Sequence, residues 1–219
     1  MTSTDRVRGP RDPRDRFSWP RAQYVISSVE QITNPAAELF AEKGFQHTSM
    51  DELAARIGVA KPTLYSYVGS KVRILEAIYD QFIQLGNGFM VEAAALSTAP
   101  DQLRSVLRNW TRASVTMPGH YEVFFNQRTA LPPESRAAVR EAASTMMRTI
   151  RGFVAAGQRK GELSADLDPT FVTFSVIAIS TWTGQWMRQG HGLDWEDAAE
   201  QAYQMLTRGL LPGPMDRRR

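Results

Sequence analysis

Cysteine is absent from the chain, which excludes disulfide frameworks, thiolate metal sites and thiol redox chemistry. Histidine is scarce: His47, His120 and His191 are scattered and give no metal-ligand spacing. No run of about 18 apolar residues occurs, so no bilayer-spanning helix is predicted. The amino terminus lacks the apolar core of a signal peptide, so a cytoplasmic location is expected. Alternating strand patterns are missing throughout. So are a nucleophile–base pair, paired carboxylates and a phosphate loop; Gly86-Asn87-Gly88 follows no strand and forms no nucleotide fingerprint. These absences predict a protein that is not an enzyme and carries no cofactor or metal.

What is present is helix signal from end to end. At 219 residues the chain has room for one large domain or a small head with a body. Residues 1–21 hold Arg6, Arg8, Arg11, Arg14, Arg16 and Arg21 against Asp5, Asp12 and Asp15, broken by Pro10, Pro13 and Pro20. They read as a disordered basic arm, either a solvated tail or a strand of charge laid along DNA. Residues 22–80 form a compact head, 81–212 a helical body, and 213–219, closing on three arginines, a tail.

The head carries the functional signal. Thr48 or Ser49 can cap a helix, and Glu52 stands where a capping box needs it. Met50, Leu53, Ala54 and Ile57 recur at helical spacing and give that helix a buried face. Gly58 fits a left-handed helix end, Val59 plugs the gap, and Pro62 opens the next helix. Leu64 and Val68 then face inward, leaving Lys61, Thr63, Tyr65, Ser66 and Tyr67 outside. Residues 53–75 contain Arg56, Lys61, Lys71 and Arg73 and no acid, whereas the whole chain is only +3. A short basic helix after a tight turn is the pattern of a helix-turn-helix, whose second helix enters the DNA major groove. In that reading Lys61, Thr63 and Ser66 touch base edges, while Tyr65, Tyr67 and Lys71 hold phosphates. A solvated helical hairpin would show the same spacing.

Residues beyond the turn separate these two readings. Phe45, Thr48, Gly58-Val59, Pro62-Thr63-Leu64-Tyr65, and Tyr67 followed by Ser70-Lys71 resemble the DNA-binding domain of TetR-family transcriptional regulators. Ala37-Glu-Leu-Phe-Ala-Glu-Lys-Gly44 is similar to the end of that family's first helix. The resemblance covers roughly residues 30–80. It implies an all-α homodimeric regulator, most often a repressor, with a three-helix head and a ligand-binding body. It gives Thr48, Lys61, Pro62, Thr63, Tyr65, Tyr67 and Lys71 the DNA-contact role. One departure stands out: Asn34-Pro35 interrupts the first helix and has the form of an N-cap and first residue. We expect that helix to restart or kink at Pro35, with Ala36, Leu39 and Phe40 as its core face and a separate helix over about 21–32.

In the body, Lys71 to about Leu85 reads as a connecting helix, with Gly86 and Gly88 breaking it before an Ala-rich piece. Asp101 opens a helix with Leu103, Val106, Leu107 and Trp110 inward, closed by Pro118-Gly119. A short aromatic segment at 120–129 and long helices at about 134–160, 169–189 and 194–211 bring the total to nine or ten. The helix from Pro169 is apolar almost all round, with Phe171, Phe174 and Trp182 on one side and Val172, Val176 and Trp186 on another. Burial on two sides requires a core and a partner, and by resemblance residues 134–160 and 169–211 build the homodimer. Candidate effector contacts are Phe89, Trp110, Met117, Tyr121, Phe124, Phe125, Met147, Phe174 and Trp182, with Arg128 and Gln185 (and Asn126 or Gln127) as polar anchors. For each of them ordinary core packing is the stronger explanation. Their character suits a small hydrophobic or aromatic effector. Val123 to Arg128 and Trp186-Met-Arg-Gln-Gly190 resemble family members answering acyl-CoA, but Pro169–Met187 contains no arginine to hold a CoA.

Overall fold

The computed structural model describes residues 28–187 and 192–210; the readings made for 1–21 and 213–219 lie outside these. Nine α-helices are described: α1 (Glu30–Lys43), α2 (Met50–Ile57), α3 (Lys61–Val68), α4 (Lys71–Ala94), α5 (Ala99–Thr116), α6 (Pro118–Asn126), α7 (Pro133–Arg159), α8 (Pro169–Met187) and α9 (Trp195–Leu210). A single 3-10 turn at Arg128–Ala130 joins α6 to α7, and no strand occurs among the described residues. The fold is all-α, with a helix-turn-helix head.

Short polar side chains start most of these helices. Ser49 accepts from the Glu52 amide while the Glu52 carboxylate accepts from the Ser49 amide, closing a full capping box on α2. Ser70 caps α4 and Thr98 caps α5 in the same manner. Asp168 accepts from the amides of Thr170 and Phe171, and Asp194 from that of Asp197. Each cap satisfies donors that a helix leaves unpaired at its start.

Two expected breaks are absent. Helix α1 runs unbroken from Glu30 through Pro35, so Asn34 is not a cap and no restart occurs; residues 21–27 lie outside the description. Proline inside a helix forfeits one hydrogen bond and crowds the preceding turn. Here the helix is held on both sides of it, because Ile32 and Thr33 upstream and Ala36, Ala37, Leu39 and Phe40 downstream are all buried in one core. The buried Thr33 hydroxyl donates to the Val29 carbonyl, so it enters the core without an unpaired group. The second absent break is at Gly86 and Gly88, both inside the 24-residue α4. A Cβ on Gly86 would lie 3.0 Å from Trp110 Cζ2, so this glycine makes room for a neighbouring ring instead of ending the helix.

The chain has two cores joined by α4. The first unites α1–α3 with the start of α4 and includes Val123, Leu131 and Val139 from the body. The second gathers Phe82, Phe89, Trp110, Tyr121, Ile150, Val172 and their neighbours. Helix α6 lies against α1, and the approach is close. A Cβ on Gly119 would meet the Glu38 backbone nitrogen at 2.8 Å. The Phe45 amide donates to the Gln127 side chain, and the Tyr79 hydroxyl, on α4, donates to the carbonyls of Val123 and Phe124. Head and body are thus tied through α6.

Candidate nucleic-acid interface and effector core

The turn between α2 and α3 is built as the sequence predicts. Gly58 has φ 82° and ψ 30°, and its amide closes on Ala54 and Ala55, where a side chain would strain the backbone. Val59 packs into the head core. Ala60 caps α3, so Lys61 is its first residue and Pro62 its second, one position later than expected. Leu64 and Val68 are buried, which turns Lys61, Pro62, Tyr65 and Ser66 to solvent and leaves Thr63 half-buried.

The DNA-contact candidates divide accordingly. Tyr65 is 43% exposed, but Tyr67 is only 7% exposed and belongs to the head core, which corrects its expected outward position. The i+3 step from Leu64 places Tyr67 on the same inward stripe. Thr48 is likewise buried, and its hydroxyl donates to the Gly44 carbonyl. Lys71 is folded back under the head: its ammonium donates to the Phe45 and Thr48 carbonyls, 2.7 Å each, and sits 4.4 Å over the Phe45 ring. Burial pushes its pKa down. Thr48, Tyr67 and Lys71 therefore position the turn, while Lys61, Pro62, Thr63, Tyr65 and Ser66 form the accessible face. The Ser66 hydroxyl donates to the Thr63 carbonyl, leaving its oxygen free to accept.

Charge is distributed differently from the reading by segment. Over residues 28–80 five cations face seven acids. Arg56 pairs with Glu42 at 2.8 Å and Glu38 at 3.7 Å, and Lys61 with Asp51 at 2.9 Å. Lys43, 2.6 Å from Glu52, and the capping box hold that carboxyl down at a pKa of about 2. The acids come from α1 and α2, so a count along 53–75 missed them. Asp51 was the residue to notice, because one turn of capping helix faces the start of α3. Exposed pairs of this kind are worth little and exchange readily with solvent or phosphate.

The expected effector residues do not form one cavity. Trp110 and Phe124 line a small apolar pocket of about 20 Å³, partly open at the exposed Asn87, together with Phe82, Ile83, Gly86, Ala142, Ala143 and Met146. Phe89 and Tyr121 buttress it, 5.3 Å from the Trp110 ring and 5.7 Å from the Phe82 ring. Met146, not Met147, lines it, in register with Ala142 and Ala143 on α7. Met117, Phe125, Arg128 and Gln185 are not among the residues lining this space, and Phe125 and Arg128 are exposed. Phe174 and Trp182 belong elsewhere. With Phe171 they stand 67, 60 and 69% exposed along α8, whose opposite side buries Val172, Thr173, Val176 and Ser180. Met205 on α9 is exposed and lines a shallow groove with Phe171, Val172, Ser175 and Ile179 of α8. The outward side of α7, by contrast, shows mostly polar groups, among them Arg140, Glu141, Ser144, Arg148 and Arg151. A larger hollow of about 440 Å³ lies between α4 and α7, lined by Arg73, Glu76, Asp80 and Glu134 among others.

Among the described residues no helix is long and apolar enough to cross a membrane, and no cluster of His, Asp or Glu could hold a metal ion. Comparison with known proteins follows the two cores. Residues 32–78 match the family model described as bacterial regulatory proteins, tetR family, and 96–210 match that of the tetracyclin repressor-like C-terminal domain. The HTH-type transcriptional activator FasR of Mycolicibacterium smegmatis is 27% identical over 215 residues, 96% of this chain and 90% of its own. In fold, the ketosteroid transcriptional regulator KstR2 of Mycobacterium tuberculosis superposes with a TM-score of 0.79 at 17% identity, covering 88% of this chain and 99% of that one. AibR, solved with isovaleryl coenzyme A and operator DNA, gives 0.73 at 22% identity, covering 82% and 97%.

Proposed function

The chain belongs to the TetR family of bacterial transcriptional regulators, and from that premise we propose that it is a ligand-responsive repressor that binds a palindromic operator as a homodimer. The observation that carries this is the accessible face of α3, with Lys61, Pro62, Thr63, Tyr65 and Ser66 raised on a capped, glycine-closed turn. These side chains offer donors, acceptors and one aromatic ring to a major groove. Thr48, Tyr67 and Lys71 support them from beneath.

The second copy comes from the other end. Phe171, Phe174 and Trp182 make an apolar strip too large to leave in water on a helix already buried along its other side. A second α8–α9 pair covers it by two-fold symmetry. Two recognition helices then sit about 34–36 Å apart, the repeat of successive major grooves. The effector is a small hydrophobic or aromatic molecule received by the body core. Binding shifts the population toward a head spacing that no longer fits DNA, through α4 and through α6, which touches both core and head. Repression follows where the operator overlaps the promoter.

Similarity to FasR, named an activator, favours a second reading in which the same dimer recruits transcription from an upstream operator. Selection from random duplex DNA with the full chain tests the common part. Enrichment of a palindrome, bound less tightly as salt rises, supports a dimeric operator reader. Recovery of no palindrome rejects it. Mapping the recovered site against promoters then separates repression from activation.

A further inference from the structure

The body core holds a buried donor that the fold does not satisfy. Trp110 is 6% exposed, and its indole Nε1 has no hydrogen-bond partner. Donors buried this deeply are nearly always paired, so an exception asks for an explanation. The ring is fixed by its neighbours: Phe82 lies 5.2 Å away, Phe89 meets it edge-on at 5.3 Å, and the Gly86 notch receives its six-membered edge. The indole is therefore held in one orientation by packing alone.

The pocket that Trp110 lines has a distinctive chemistry. Its walls are aromatic, aliphatic and thioether, with Asn87 and the indole the sole polar side chains and no charged one. About 20 Å³ holds one water at most, and Asn87 stands at the solvent-exposed rim, while the indole Nε1 is buried and unpartnered. Met146 and Phe124 are the movable parts of the wall, a flexible thioether and a half-buried ring.

We propose that this site receives an apolar effector bearing one neutral hydrogen-bond acceptor, a carbonyl oxygen, which takes the Trp110 Nε1–H. The proposal rests on the effector reading given above and specifies its chemistry. The effector enlarges the space by moving Met146 and Phe124, while the indole stays as the fixed anchor. A carboxylate is rejected here, because an anion buried without a cation is far costlier than a carbonyl with its bond made. A plain hydrocarbon fits the walls but leaves the indole unpaired. Phe124 belongs to α6, whose Val123 and Phe124 carbonyls are bonded by Tyr79 and whose Gly119 abuts α1, so moving it acts directly on the head.

Three probes of nearly equal shape test this on the full chain: benzylacetone, isopentylbenzene and phenylpropanoate. One hydrogen bond separates the first two, so benzylacetone should bind about tenfold more tightly than isopentylbenzene, with phenylpropanoate weakest. Trp110→Phe keeps the aromatic packing and should erase the preference between ketone and hydrocarbon. In the natural protein the ketone, and not the hydrocarbon, should move the Trp110 indole N–H resonance downfield, a readout that does not depend on the variant folding. Equal affinities in the natural protein, a preference retained in Trp110→Phe, a best-binding carboxylate, or no binding by any probe overturns the proposal. Operator selection on the same preparation separates the two levels. Intact selective DNA binding without a ketone preference rejects the acceptor site alone, and absent DNA selectivity rejects the regulator reading beneath it.

Discussion

Helices α3 and α8 are alike in plan and opposite in chemistry. Each buries one side, α3 through Leu64, Tyr67 and Val68 and α8 through Val172, Thr173, Val176 and Ser180, and each leaves the other side open. The open side of α3 offers an ammonium, hydroxyls and a tyrosine; that of α8 offers Phe171, Phe174 and Trp182. A polar face is stable in water and waits for a polar partner. An apolar face of that size is not, and its partner has to be present before the molecule is complete. In the proposed function DNA takes one face and a second copy the other.

Breaking the α8 face should have the largest effect. Phe174→Glu with Trp182→Glu puts two carboxylates on each copy, four across a two-fold axis, in a setting that cannot solvate them. Sedimentation should show monomers. Operator affinity should fall by about a hundredfold or more, since each head then binds only a half-site. The buried side of α8 is untouched, so circular dichroism at 20 °C should be unchanged. Dimers that persist with full operator affinity would remove the second copy from this face.

Helix α6 packs against α1 of the head and α4 and α5, and His120 gives that packing a pH dependence. It is buried on α6, with Nε2 3.2 Å from the Gln81 side-chain oxygen, and burial lowers its pKa to about 4 from the ordinary 6.5. The unfolded chain therefore takes up a proton first as pH falls, so stability contributed above pH 6.5 is lost progressively down to about pH 4. By pH 5 the loss is on the order of 2 kcal/mol. Thermal unfolding should show a drop in Tm between pH 7 and pH 5 that His120→Gln reduces. An equal drop in both proteins would place the acid sensitivity elsewhere.

Sharpening the α3 side needs a smaller lesion. Tyr65→Ala removes an exposed ring and should cost about 1–3 kcal/mol of operator affinity, roughly fivefold to over a hundredfold. Dimerisation and Tm should stay as they are, because the ring is outside the core. Tyr67→Ala makes the complementary case: it should lower Tm, since that ring is packed against the head. A Tyr65 variant that binds DNA normally would take the aromatic out of the interface.

How far the sequence reveals these faces follows from how local each signal is. The capping box at Ser49 and Glu52, the left-handed Gly58 and the inward Leu64 and Val68 depend on neighbours within a few residues, and all were readable. The restart expected at Pro35 and the break expected at Gly86 are absent because the meaning of both residues is tertiary. The first is overruled by burial on both sides of it, and the second is a notch for a ring 24 positions later in the chain. The amphipathic pattern of α8 showed two apolar sides but could not say which one faced outward, so Phe174 and Trp182 were placed among effector contacts. The unpaired indole of Trp110 had no sequence signal at all. Any buried tryptophan on an amphipathic helix reads the same until its partners are counted.

The smallest expected effect concerns the acid that faces the recognition helix. Asp51 holds the Lys61 ammonium at 2.9 Å and raises its pKa, chiefly by that hydrogen bond. Both side chains are substantially exposed, so the pair adds little to stability, yet DNA has to displace the carboxylate before a phosphate or base can take the lysine. Asp51→Asn removes one negative charge beside the groove and frees that cation in advance. Operator affinity should rise several-fold at low salt, and the gain should shrink as salt is added, because screening weakens the repulsion that was removed. Lys61→Met should shrink the gain in the double variant, since Asp51 then has no cation to withhold and only the removed repulsion remains. An Asp51→Asn protein that binds no better, or a gain that survives Lys61→Met unchanged, would mean that α3 meets DNA without using the first residue of its helix.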